Sequence, residues 1–320
     1  MDLNAMLEKC HRDQWKVGDL DWSRKPRELS PEDEAAVVQY FTDMAGIERL
    51  AGALFEEQRR RAEDPVLKEI FRTFVVDEVR HSHAAQMLAD FYDRRKLRCY
   101  EQSPGLRDFA PAFVRAIRHF SPGIANAYIT GGELLLDIAL LRSLNDYVHD
   151  DMSDAAMELI NRDESRHVAI DFHMVEYYSS DAYAEKAKHA PRKSPLEEAR
   201  AWSDFARVLY YAKPFFLQVF YGPMDRIDPT HERLHEAFKR IQLIGRKEET
   251  ARTPFVRFMT TVRDLYAHPV AKATLGPVLE RLAGITQDLM VDLYTEEEEK
   301  LARKMSFDEM AEDALAAKYH

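Results

Sequence analysis

At 320 residues, with 46% hydrophobic and 32% charged residues and only 11 Gly and 14 Pro, the chain has the composition of a helix-leaning globular protein; collagen, disordered and disulfide-scaffold classes are excluded. Its 45 basic and 56 acidic residues leave a net charge of -11, so sequence-independent binding to a phosphate backbone lacks a driving force and nucleic acid is not an expected partner. No apolar run approaches the roughly 18 residues of a membrane span, the opening MDLNAMLEKCHRDQW lacks the apolar stretch of a signal peptide, and Cys10 and Cys99 follow no metal or redox spacing. A cytoplasmic protein with two reduced thiols and no membrane association is expected.

Residues 1–29 show no clear periodicity and read as a leader lying along the surface of something else. Ser30-Pro31-Glu32-Asp33 then supplies a cap, a first-position proline and acids for the first turn, and a helical pattern runs from 31 to about 62. Asp64-Pro65 starts a second helix, about 66–97, close enough to make an antiparallel hairpin with the first. Residues 98–121 read as a crossover with one short helix near 107–119. A third long helix follows from Pro122 to about His149, and a fourth from the turn at 150–153 to about Ser180. The polar stretch 181–194 reads as a linker. Beyond it, a C-terminal extension, 195–318, carries helical patterns near 195–221, 230–246, 252–267 and 275–317, with a break at Met305-Ser306. Period-2 alternation is missing throughout, so the fold class is all-α. The aromatic-rich 195–221 segment reads as a core or dimer-interface helix, and a homodimer is the expected assembly.

The second and fourth long helices carry one pattern twice: Asp77-Glu78-Val79-Arg80-His81 and Asp163-Glu164-Ser165-Arg166-His167. A bare Glu-x-x-His is weak, and this chain has it also at Glu8/His11 and Glu232/His235. The doubled five-residue form, in matching positions of successive hairpins, is specific.

On a helix, residues three apart share a face, so each Glu and its His project together. The first long helix offers Glu48, set in an apolar stripe with Phe41, Met44, Ala45, Gly52 and Phe55. The third offers Glu133, on a stripe with Ile129, Leu136, Leu140 and Leu144. Glu48 and Glu78 lie roughly 16 and 14 residues from the turn between their helices, and Glu133 and Glu164 roughly 18 and 13 from theirs, which puts each pair within about 8 Å along the axis. Glu56 and Glu57, beside Arg59-Arg60-Arg61, are read as surface ion pairs. For Glu48 and Glu133 that reading is poor, since carboxylates on apolar stripes need compensation. Two divalent cations cancel four carboxylates, and one His per metal among oxygen ligands suits iron or manganese better than zinc.

Helix-borne Glu48, Glu78-x-x-His81, Glu133 and Glu164-x-x-His167 resemble the ferritin-like di-iron carboxylate superfamily, over about residues 31–180. The resemblance implies a four-helix bundle spanning 30–180, in which Glu78 and Glu164 bridge two metal ions while Glu48 and Glu133 are terminal ligands. It further implies that Asp163 orients His81 and Asp77 orients His167. The doubled motif is most similar to that of bacterial multicomponent monooxygenase hydroxylases. The expected activity is that of a di-iron, or Mn/Fe, oxygenase or oxidase: an O2-dependent oxidoreductase acting on a small organic substrate by hydroxylation, N-oxygenation or desaturation, with a ferredoxin or reductase as electron donor. The rivals are a ferroxidase or iron-storage protein and a small subunit of ribonucleotide reductase.

Departures from the subgroups bear on the choice. Where ribonucleotide reductase small subunits carry the radical tyrosine, this chain has Ala85. Where p-aminobenzoate N-oxygenases add a histidine, it has Ile160, and where multicomponent monooxygenases have a threonine, it has Asp137. Asp137 and Asp171 are each read as a proton relay, an extra ligand or a buried ion pair. Asn126, Thr130 and Asp137 share the Glu133 stripe, and Gly131 and Gly132 interrupt it; the stripe is read either as close packing or as the face where O2 and substrate approach, with Thr130 and Asp137 positioning protons and Gly132 bordering the space. His231-Glu232-Arg233-Leu234-His235 matches a zinc-hydrolase pattern, but it sits in the first turn of its helix and is read as an exposed face.

Overall fold

The computed structural model describes residues 1–98, 100–191, 193–253, 256–257, 260–261, 289 and 291–317. These residues contain no strand and are all-α. Helix α1 spans Leu3–Arg12, α2 Pro31–Arg61, α3 Pro65–Tyr92 and α4 Pro104–His119. Next come α5 (Pro122–Leu134), a π-helical stretch Leu135–Leu141, and α6 (Arg142–Val148), which continue one another as a single rod. Then follow α7 (Asp151–Ser179), α8 (Asp181–Lys188), α9 (Pro195–Phe215), a second π-helical stretch Phe216–Tyr221, α10 (Gly222–Ile227), α11 (Glu232–Ile244), α12 (Glu248–Ala251), α13 (Glu296–Lys304) and α14 (Phe307–Ala316).

One starting device recurs: a Ser or Asp cap followed by proline. Ser30 accepts from the Asp33 amide before Pro31, Asp64 from Val66 and Leu67 before Pro65, Ser121 from Ile124 before Pro122, and Ser194 from Glu197 before Pro195. Each satisfies amides that the first helical turn leaves unpaired, while proline occupies a position needing no N–H. Helix α3 stops at Tyr92, short of the expected 97, because Asp93 turns its carboxylate onto the amides of Leu97 and Arg98. The α6–α7 turn closes on His149 in the left-handed region, with Ser153 donating to Asn145 and Asn145 to Asp154.

Helix α2 packs along α3 and α5 along α7, with α2 also against α5 and α3 against α7; their facing stripes make one core of Phe41, Phe55, Phe71, Phe74, Ile129, Leu136 and Ile160. Gly52 lets α3 approach, since a Cβ there would lie 3.1 Å from Cβ of Glu78. The rod 122–148 is long and apolar enough to cross a membrane, contrary to the sequence reading, but 72% of its most apolar window is buried inside the protein, as its central place demands.

One other expectation is corrected: the 181–194 linker holds α8, capped by Ser180. In the leader, α1 packs on α3 and α7, and Cys10, Trp15 and Val17 are buried, because their apolar side chains close one side of the core. In the extension, α9 packs on α4, α11 on α5 and the first π stretch, and α14 on α7. The aromatic residues of 195–221 divide: Phe215, Phe220 and Tyr221 are buried, while Trp202 and Tyr210 are exposed. Cys99, most of the 252–267 helix and the first part of 275–317 lie outside the described residues.

Candidate metal centre

Glu48 comes from α2, Glu78 and His81 from α3, Glu133 from the end of α5, and Glu164 and His167 from α7; all six are buried. They form two overlapping groups whose ligand-capable atoms lie within 4.8 Å of one another: Glu48, Glu78, His81 and Glu164 in one, Glu78, Glu133, Glu164 and His167 in the other. Glu78 and Glu164 belong to both. Each imidazole turns Nδ1 inward, toward the shared glutamate of the opposite hairpin: His81 Nδ1 is 3.0 Å from Glu164, and His167 Nδ1 is 3.0 Å from Glu78. Both oxygens of Glu48 and one of Glu133 make no hydrogen bond among the described residues, and the Glu78 and Glu164 oxygens that face the imidazoles have no other partner there. Buried carboxylates so thinly compensated are suited to a cation.

The electrostatics describe the same demand. Burial pushes Glu48 up to about 7, against the pull of His81. Glu78 and Glu133 are raised well above the carboxylate range, by burial first and then by the neighbouring carboxylates. Burial would raise Glu164 as well, but His167 and His81 outweigh it and hold its carboxyl well below the usual value. Burial would lower both imidazoles; Asp163 and Glu164 instead carry His81 up to about 10, and Glu164 and Asp77 carry His167 up to about 9. Glu164 apart, these shifts all favour protonated forms, which lower the net negative charge of the buried cluster.

The outward ring nitrogens meet the two motif aspartates. His81 Nε2 is 3.1 Å from Asp163, and His167 Nε2 is 3.5 Å from Asp77. The motif arginines, to which the sequence reading gave no role, pair with both buried aspartates. Arg80 pairs with Asp77 and lies 3.1 Å from Asp163; Arg166, fully buried, lies 2.6 Å from Asp163 and 3.4 Å from Asp77. Thus each arginine serves its own repeat and the other one. Despite burial, His167 and His81 keep Asp77 below the usual aspartate range, and His81, helped by Arg166 and Trp15, keeps Asp163 below it.

The leader supplies what the sequence reading missed. Trp15 Nε1 donates to Asp163 at 2.7 Å, its ring stacks on that of His81 at 6.4 Å, and the Arg80 guanidinium lies 5.1 Å above it. Gln14 donates to Asp77 at 3.1 Å and accepts from Arg80 at 2.7 Å. Polar and aromatic residues without helical spacing gave no sign of this. The doubled Arg was the available signal.

On the opposite side, Asp137 is buried within the first π stretch and Asp171 lies one turn beyond His167. Burial, reinforced by Glu164 against the pull of His167, raises Asp171 well above the usual range, and neither of its oxygens is hydrogen-bonded among the described residues. Thr130 is buried and donates to the Asn126 carbonyl at 2.9 Å; Asn126 in turn accepts from Gln58 at 3.2 Å and donates to the Asp171 carbonyl at 3.3 Å. The expectation for Gly132 is corrected: it is exposed, because its neighbour Glu133 takes the inward position, and a Cβ there would touch nothing within 4 Å. The hydrolase-like pattern is not assembled either. His231 precedes α11 in a left-handed conformation and lies 2.9 Å from Asp225, so His231 and His235 do not share a helical face. Comparison with protein-family models, curated proteins and solved structures gives no match.

Proposed function

We propose that the four long helices form a ferritin-like bundle and that the protein is a non-haem di-iron oxygenase or oxidase, activating O2 to oxidise a small organic substrate. The observation that carries this reading is the sharing of Glu78 and Glu164 by two buried ligand groups, each completed by one terminal glutamate and one histidine. Four carboxylates and two imidazoles match two divalent cations in charge, and oxygen-rich ligation favours iron or manganese. When bound, such ions supply the electrons that reduce O2, an external ferredoxin or reductase restoring them.

The chain's own residues supply orientation and protons. Asp163 and Asp77 hold the imidazoles by Nε2, leaving Nδ1 free to face the ions. Asp171, in a site where burial favours the protonated carboxyl, is suited to hold a proton beside Glu133 and Glu164. A homodimer covering exposed Trp202 and Tyr210 of α9 is part of the proposal.

The test is anaerobic titration of the metal-stripped protein with ferrous iron, followed by O2 exposure in the presence of a chemical reductant. About two ions per chain and reductant-dependent O2 uptake are expected. Continued uptake of many irons per chain would turn the reading to storage, and failure to retain iron would end it.

A further inference from the structure

Helix α5, the end of α7, α8 and α11 border an open cavity of about 570 Å³, whose described lining includes none of the six candidate ligands. Its walls are apolar, including Ile124, Ala127, Val175, Ile241, Ile244 and Val256. The inner end reaches Thr130 and Gly131, within one helical turn of Glu133. The Thr130 hydroxyl there already donates to the Asn126 carbonyl. Toward the start of α5 the cavity changes character. Gly123 abuts Tyr178 there, which sets the start of α5 beside the end of α7, roughly 10 Å along the axis from Thr130 at about 1.5 Å per residue.

At that outer end the lining is ionic. Arg252 pairs with Asp181 at 2.8 Å, and Arg246 with Asp292 at 3.1 Å; Arg257 lines the same rim and is exposed. Three guanidiniums therefore face two carboxylates among the described residues. An excess guanidinium at the mouth of an apolar cavity matches a ligand with an apolar body and one anionic end.

We propose that this cavity binds a hydrocarbon-chain carboxylic acid, its carboxylate at Arg252 and Arg257 and its chain directed toward Thr130 and the metal centre. The fate of such a chain rests on the oxygenase reading; its binding does not. An alcohol of equal length would lose the ionic contact, and a quaternary ammonium would meet like charge.

Calorimetric titration of the full-length protein, both iron-loaded and metal-stripped, with dodecanoate, dodecanol and dodecyltrimethylammonium tests this. Dodecanoate should bind tightest, and Arg252→Gln combined with Arg257→Gln should weaken it by about tenfold or more while leaving dodecanol unchanged. Gly131→Leu should abolish binding of both acid and alcohol. The backbone accepts the substitution, since a Cβ there meets only Ile241 Cδ1 at 3.7 Å, and the longer side chain then occupies the cavity. Ala127→Phe fills the same space from a second position if the leucine variant does not fold. Equal affinity for acid, alcohol and cation, or wild-type affinity in a folded cavity-filled variant, would overturn the proposal. Dodecanoate binding by protein that retains no iron would leave the cavity assignment standing and defeat the oxygenase reading alone; full iron retention without dodecanoate binding would do the reverse.

Discussion

The two sides of the candidate metal centre differ in how their charges are compensated: the aspartates and arginines of both repeats lie on one, and Glu133 and Asp171, which lie outside the repeat, on the other. On the histidine side, Asp77 and Asp163 are each held by arginine and imidazole, and by Gln14 or Trp15 from the leader. Their pKa values are depressed, so on this side the carboxylates are charged and paired. On the Glu133 side, burial dominates: Glu133 and Asp171 are raised well above the usual range, a π stretch replaces regular helix, and an apolar cavity starts one turn away. A π turn inside an α-helix is uncommon and is found mostly at functional sites. The difference teaches that the repeat supplies candidate ligands in matched pairs, while the surroundings decide which carboxylates stay ionised and which are driven toward the protonated form.

The strongest way to break this comparison is to remove a shared ligand. Glu164→Ala or Glu78→Ala deletes a carboxylate common to both groups and should lose most bound iron, as read by metal analysis of purified protein. Full occupancy in Glu164→Ala would mean that the two groups do not act as one centre. A milder cut falls on the paired side. Asp163→Asn and Asp77→Asn keep shape but remove charge, and should weaken metal affinity by roughly 10 to 100-fold in chelator competition. Asp163 should be the more sensitive, since its contact with His81 is 3.1 Å against 3.5 Å for Asp77 with His167, and since Trp15 also donates to it. Trp15→Phe, which keeps an aromatic ring against His81 and loses only the N–H, should have a smaller effect of the same sign.

The contrast also predicts a pH profile for the metal-free protein. Glu48 moves from 4.5 to about 7 on folding, His81 from 6.5 to about 10 and His167 from 6.5 to about 9. In each case the fold keeps a proton through a window in which the unfolded chain has released it. Stability from these groups is therefore full below the unfolded value and is lost as pH rises through the folded one. Asp77 and Asp163 do not oppose this, because their depressed values make a contribution already complete in that range. The melting temperature of the metal-free protein should fall between about pH 5 and about pH 9, and the increase on adding saturating iron should grow over the same interval, since binding must displace those protons. A flat metal-free profile would show that the buried glutamates and imidazoles are not held as the structure describes.

Much of this was legible because the repeated ligands sit on helices, where spacing alone decides which side chains share a face. Glu48 and Glu133 stood out as charges on apolar stripes, and the cap-plus-proline pairs marked the helix starts. The π stretch was not legible, since Leu135–Leu141 has the composition of ordinary apolar helix. Its wider turn carries more residues for a given length, which helps bring Glu133 level with Glu164 although their distances in residues from the turn are unequal. Trp15 and Gln14 were hidden for another reason: a segment that contributes through a few long-range hydrogen bonds has no period to detect.

The smallest expected effect sharpens the open side to a single residue. Gly131 and Gly132 are adjacent, yet a helix turns about a quarter of the way round between them. Gly131 lines the cavity and Gly132 is exposed with nothing within 4 Å of its Cβ position. If the Glu133 side admits substrate along the cavity and not through the outer surface of α5, Gly132→Leu should leave iron content and O2 uptake unchanged. It should also raise the melting temperature slightly, because leucine is favoured over glycine in an exposed helix by up to about 1 kcal/mol. Metal analysis and a thermal melt beside Gly131→Leu check both halves. Loss of O2 uptake in an iron-replete Gly132→Leu variant would move the approach route from the cavity to the outer face of the helix.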